Sequence, residues 1–192
     1  MKTRTKALLL ALSAVLLVVS TVFATMAYLT SKTGVVKNTF TVGNVTITLD
    51  EAKVDEYGVE VTPETRVTEN TYKLIPGHVY SKDPTIHVAT GSEDCWLFVK
   101  VVDDIADIQD ATTVEDQMTT NGWTEIEANV WAYEETVSAG ENVVVFESFT
   151  IKGDAAVADY NGKTITVVGY AVQADGFDTA AQAWAAAPAS WN

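Results

Sequence analysis

Cys95-Trp96-Leu97-Phe98-Val99-Lys100-Val101-Val102-Asp103 is the stretch that decides the fold class. It is short, rich in β-branched and aromatic residues, and preceded by the solvated loop Thr90-Gly91-Ser92-Glu93-Asp94, so it reads as a strand. Alternation places Cys95, Leu97, Val99 and Val101 on one face and Trp96, Phe98 and Val102 on the other. Apart from Lys100 both faces are apolar. Such a strand sits centrally, covered by a second sheet on one side and by a helix, a long loop or another chain on the other.

The same two-residue period recurs outward from this strand. Asn38 to Glu51 reads as a first strand in which Val45, Ile47 and Leu49 alternate with Thr46, Thr48 and Asp50, with a bulge or bend at Gly43-Asn44. Further strands are expected over 71–75, 85–90, 130–134, 142–152 and 163–174. Pro76-Gly77 and Asp83-Pro84 bracket a turn-rich segment. Thr112-Thr113-Val114-Glu115 and Thr179-Ala180-Ala181-Gln182 fit the capping-box pattern and predict two short helices, and Asn121-Gly122 suits a turn. The class is mainly β, a single sandwich domain with short helical decorations.

Ahead of it lies an export segment. Lys2, Arg4 and Lys6 precede the uncharged run Ala7 to Leu29, a basic region followed by an apolar one, as in a signal peptide helix. Small residues at its distal end place cleavage near Ala24 or Ala27; an uncleaved anchor is the alternative, since the 23 uncharged residues meet the roughly 20 that a bilayer requires. Cleavage after Ala27 leaves nine Lys and Arg against 26 Asp and Glu, a net charge of −17. A polyanion of that strength is repelled by nucleic acid and by anionic lipid, which excludes both as partners; contact with a membrane runs only through an uncleaved signal segment. Self-association should respond to salt, acid and divalent cations.

Little in the sequence points to catalysis. The lone cysteine, Cys95, cannot form an intramolecular disulfide, and its apolar strand makes it a core residue rather than a nucleophile. A zinc hydrolase offers three ligands and a general base, whereas this chain has only His78 and His87, nine positions apart across a proline-bearing turn. With Asp83, and with Glu93 and Asp94 if folding gathers them, these are the residues from which a metal site would be built. No serine sits in a Gly-x-Ser-x-Gly elbow, and phosphate-binding glycine loops and calcium-loop spacing are absent. The carboxylates at Asp103-Asp104, Glu125, Glu127 and Glu134-Glu135 read as solvated faces, with loose divalent-cation binding left open. No catalytic residue and no cofactor are assigned.

Where export segment meets first strand, the chain reads Ala27-Tyr28-Leu29-Thr30-Ser31 and then Val36-Lys37-Asn38-Thr39-Phe40-Thr41-Val42-Gly43-Asn44-Val45. This resembles the TasA and camelysin family of exported proteins, which are processed by a SipW-type signal peptidase. LIPGHVYSKDPTIHV, GSEDCWLFVKV and YAVQADGFDTAAQAW are similar to clostridial-type members. The resemblance implies an antiparallel jelly-roll sandwich, cleavage between Ala27 and Tyr28, and secretion to the matrix or cell surface of a Gram-positive-type bacterium. It divides the chain into a signal peptide (1–27), an extended N-terminal segment (28–37) and a β-sandwich domain (38–192). Relatives of this type build biofilm fibres in which the N-terminal segment of one subunit completes a sheet of the next, by β-augmentation. Partners are then further copies of the chain, head to tail, or related fibre subunits. In this chain the donor would be anchored by Tyr28, Leu29, Val35 and Val36, and Cys95, Leu97, Val99 and Val101 belong to the candidate acceptor core. The camelysin branch implies a second activity, a metal-dependent endopeptidase at the cell surface. A third reading is a monomeric adhesin or binding module using exposed aromatics such as Trp123, Trp131 or Trp191.

Overall fold

In a computed structural model, residues 6, 12–16, 44–187 and 189 are described, and the chain divides into two units, Met1–Thr41 and Val42–Asn192. In the first unit Lys6 and residues 12–16 are helical. The junction Ala27–Tyr28 and the segment 28–37 lie outside the described residues. Among the described residues no helix is long and apolar enough to cross a membrane.

The described residues of the second unit form ten strands: β1 (Ile47–Ala52), β2 (Arg66–Val67), β3 (Val79–Ser81), β4 (Thr85–Val88), β5 (Cys95–Asp103), β6 (Trp123–Glu127), β7 (Val130–Tyr133), β8 (Asn142–Val144), β9 (Ser148–Thr150) and β10 (Ile165–Gln173). Two helices decorate them, α1 (Val114–Thr120) and α2 (Ala180–Ala186). One sheet has the order β2-β1-β4-β8, a second β10-β5-β7-β6, and β3 pairs with β9. Every pairing is antiparallel. The protein is mainly β, as its alternation predicts.

The long strand β5 is central, with β10 on one edge and β7 on the other. Its Cys95, Leu97, Val99 and Val101 enter a core shared with Ile86 and Val88 of β4 and Val143 of β8, so the two larger sheets close over one apolar layer. The opposite face, Trp96 and Phe98, is covered by α2 of the same chain. Trp184 tilts against Phe98 with ring centroids 5.0 Å apart, and the Trp96 indole donates to the Phe177 carbonyl. Val102, on the same face, lies outside that cover and is 37% exposed.

Several expected elements differ. Residues 71–75 form no strand, because their backbone bonds go to side chains and turns instead of a ladder: Ile75 N–H donates to the Tyr80 hydroxyl, which donates to the Lys73 carbonyl, and Lys73 N–H donates to Glu56. The expected strand 142–152 is two strands, β8 and β9, placed in different sheets. The described part of the first strand begins at Ile47. The first capping box slides one residue: the Thr113 hydroxyl accepts from Asp116 N–H while the Asp116 carboxylate accepts from Thr113 N–H, so aspartate fills the place expected of Glu115. Thr179 caps α2 as expected, accepting from Gln182 N–H.

Candidate functional site

The sequence-derived metal candidates do not converge. His78 Nε2 lies 2.8 Å from the Tyr57 carbonyl, with its ring edge-on to Tyr80. His87 sits between Asp50 and Asn142, and the Asp83 carboxylate accepts from Arg66 and from Ala52 N–H. Among the described residues no group of three or more His, Cys, Asp or Glu is placed to hold a metal ion. The carboxylates read as solvated faces include several that brace local structure. Asp103 accepts from Ile105 N–H and Gln109 Nε2, Glu125 from Asn129 N–H, and Glu127 from the Trp184 indole. Burial, joined by the charges of Glu115 and Asp104, holds the Asp103 carboxyl above its ordinary range.

Cys95 is fully buried, and burial, assisted by Asp94, pushes its thiol up to about 11, so a thiolate is disfavoured at neutral pH. The aromatics expected to be exposed are not: Trp123 and Trp131 are both buried, which corrects that part of the adhesin reading. Trp191 lies outside the described residues.

Among the described residues one long strand edge is left unpaired, with a cleft beside it. β10 is the terminal strand of its sheet, and none of its nine residues, Ile165-Thr-Val-Val-Gly-Tyr-Ala-Val-Gln173, is charged or proline. Asp104 N–H donates to the Thr164 carbonyl and Ala174 N–H to Asp94, which turns the backbone groups of even-numbered β10 residues toward β5. The N–H and C=O groups of Ile165, Val167, Gly169 and Ala171 therefore face the free edge. Their side chains belong to the inner face, where Ile165, Val167 and Ala171 pack against the core.

β1 presents a matching edge. Ala89 N–H donates to the Thr46 carbonyl, so even-numbered residues face β4, and Ile47 and Leu49 direct their backbone groups the other way. On that side β2 pairs only with Glu51 and Ala52. A Cβ built on Gly169 would lie 3.5 Å from Ile47 Cδ1, so the two sheets approach closely there. They then part into a cleft of about 1000 Å³ lined by Leu49 and Glu51 of β1, Ile165 and Val167 of β10, and Tyr72 and Phe149. β1 thus runs from 47 to 51 as β10 runs from 169 to 165. A strand inserted between them would lie parallel to one edge and antiparallel to the other.

Part of the cleft lining is polar. Lys82 and Glu51, 9% and 5% exposed, form an ion pair, and the Asn70 amide donates to Glu51 and to the Ala52 carbonyl. Burial, with the negative charge of Glu51, holds the Tyr72 phenol well above its ordinary value, so it stays a neutral donor to the Ser81 carbonyl. The expected acceptor residues Cys95, Leu97, Val99 and Val101 lie deeper, on a strand with both edges already paired. They lie in the core beneath the strand edges, and among the described residues the long unpaired edge is that of β10. The signal for it was present in the uncharged run 164–174, since edge strands of soluble proteins are ordinarily blunted by charge, proline or brevity.

No family model matches this chain, and neither does any curated protein or solved structure.

Proposed function

We propose that this protein is a secreted subunit of extracellular fibres, of the TasA and camelysin type, whose cleft between β1 and β10 accepts the N-terminal segment of a neighbouring copy. The observation that carries the reading is the edge of β10: nine residues long, without charge or proline, and unpaired on one side among the described residues. The other sheet edges are short or charged. β2 has two residues, β8 three, and β6 carries Glu125 and Glu127. A long uncharged edge invites strand addition.

In this reading the two larger sheets form an antiparallel jelly roll that lacks one strand, and residues 28–37 of a second copy supply it. The donor lies at one end of the chain and the acceptor in the body of the domain, so the contact is heterologous and does not close, giving filaments rather than dimers. Export and signal cleavage at Ala27–Tyr28 would free the donor from the membrane and permit assembly. Charge tunes the process, because the chain from Asp50 onward holds all 26 acidic residues against seven basic ones. Copies repel at low salt and approach more readily when that charge is screened or protonated.

The test is electron microscopy of the protein beginning at Tyr28 beside one beginning at Asn38, through a pH and salt series. Filaments from the first alone support strand donation. Monomers from both under every condition refute it.

A further inference from the structure

On the core side, both edges present residues of one parity, Ile47 and Leu49 from β1 and Ile165, Val167 and Ala171 from β10, so an inserted strand turns only one of its faces inward. The donor 28–37 has two unlike faces. One carries Leu29, Ser31, Thr33 and Val35; the other carries Tyr28, Thr30, Lys32, Gly34 and Val36. The anchors Tyr28, Leu29, Val35 and Val36 cannot all enter together. Resting on the acceptor reading above, we propose that the face entering the cleft is Leu29-Ser31-Thr33-Val35 of a second copy, and that Lys32 stays outside.

Charge decides between the two faces. Turning the other face inward would carry the Lys32 ammonium onto the apolar core side formed by Ile47, Leu49, Ile165 and Val167. An unpaired buried ammonium is strongly disfavoured. The Leu29 face carries no charge. Its Ser31 and Thr33 are small and bear hydroxyls suited to a wall that includes Glu51, Asn70, Thr164 and Thr166, while Leu29 and Val35 meet the apolar parts.

With this face inward, Lys32 projects from the outer side of a domain rich in carboxylates, where a cation is favoured.

The experiment uses one residue type on each face. The protein beginning at Tyr28 is compared with its T33D and T30D variants, with filament growth followed by light scattering and electron microscopy. Both substitutions add the same charge to the same segment, outside the unit Val42–Asn192, so folding of that unit is not at issue. The expected result is growth slowed more than tenfold in T33D and changed less than threefold in T30D. Loss of growth in T30D alone, or equal effects in both variants, overturns the assigned face while leaving strand donation standing. Absence of filaments from the unsubstituted protein overturns both.

Discussion

His87 Nε2 lies 2.9 Å from Asp50 Oδ1, the oxygen that also accepts from Arg66 Nε at 2.7 Å. On its other side His87 Nδ1 is 2.7 Å from Asn142 Oδ1. Side chains from β2, β1, β4 and β8 are therefore linked in one row across the whole sheet. Arg66 also reaches Asp83 Oδ2, whose second oxygen accepts from Ala52 N–H. This row secures β2, which has only two residues of ladder, beside the edge of β1 that lines the cleft.

The row makes stability depend on acid. Burial alone would raise the Asp50 carboxyl, but hydrogen bonds from Arg66 and His87, reinforced by their charges, outweigh it and hold the carboxyl below its ordinary range. A carboxyl lowered on folding contributes stability above its unfolded value and loses that contribution as pH falls through its folded value. D50N should cost about 1 kcal/mol at pH 7, a modest figure because the pair is partly screened by solvent. The difference from the unsubstituted protein should shrink toward pH 2. Urea denaturation at both pH values measures it. R66K should cost a similar amount, since lysine cannot bridge Asp50 and Asp83 with a planar fork.

The ion pair in the cleft lining behaves differently, because Glu51 and Lys82 are both buried. Removing one partner leaves an uncompensated buried charge, so K82M and E51Q should each cost roughly 3 kcal/mol. The double variant should cost much less than the sum of the two. A double-mutant cycle in urea reads the coupling. Additive losses would show that the two side chains act independently.

Legibility in the sequence followed the range of the interactions. β5 could be read because both of its faces depend on local alternation, and Thr179 could be placed as a cap because its partner is three residues away. The segment 71–75 misled because its backbone bonds end on Glu56 and the Tyr80 hydroxyl, which no periodicity encodes. Arg66 finds Asp50 and Asp83 across 16 and 17 residues, and Lys82 finds Glu51 across 31, so the charged groups around the cleft appear only once the strands are paired. The open edge was half legible. A strand over 163–174, uncharged from Thr164 onward, can be read from its residues, but that nothing among the described residues pairs with its far side is a property of strand order.

Gly58 and Gly162 offer a controlled comparison. They share a left-handed backbone, with φ of 77° and 79°, but a Cβ at Gly58 would meet Tyr80 Cα at 2.8 Å, whereas one at Gly162 would meet nothing within 4 Å. G162A should cost only the conformational strain, about 1 kcal/mol. G58A must also push the 54–60 turn away from Tyr80, a side chain stacked on Phe149 at 4.8 Å, and should cost at least about 2 kcal/mol. Thermal unfolding of the two variants side by side tests the ordering; equal losses would show that the turn yields freely.

Val168 separates the stability of the folded unit from assembly. It lies on β10 with its side chain on the outward face, 45% exposed, and its backbone groups turned toward β5. V168K leaves the β5 ladder and the inner core intact, but its cation lies directly opposite Lys100 of β5, so it should cost up to about 1 kcal/mol. It also places a cation on the edge where a donor strand would lie, with Lys32 of that donor projecting on the same outer side when the Leu29 face is turned inward. Like charges on adjacent strands are destabilising, and an edge lysine is a common block to strand addition. Filament growth should fall sharply at low ionic strength and recover in part as salt screens the repulsion. Unchanged growth at every salt concentration would move the acceptor away from β10, to the free edge of β1.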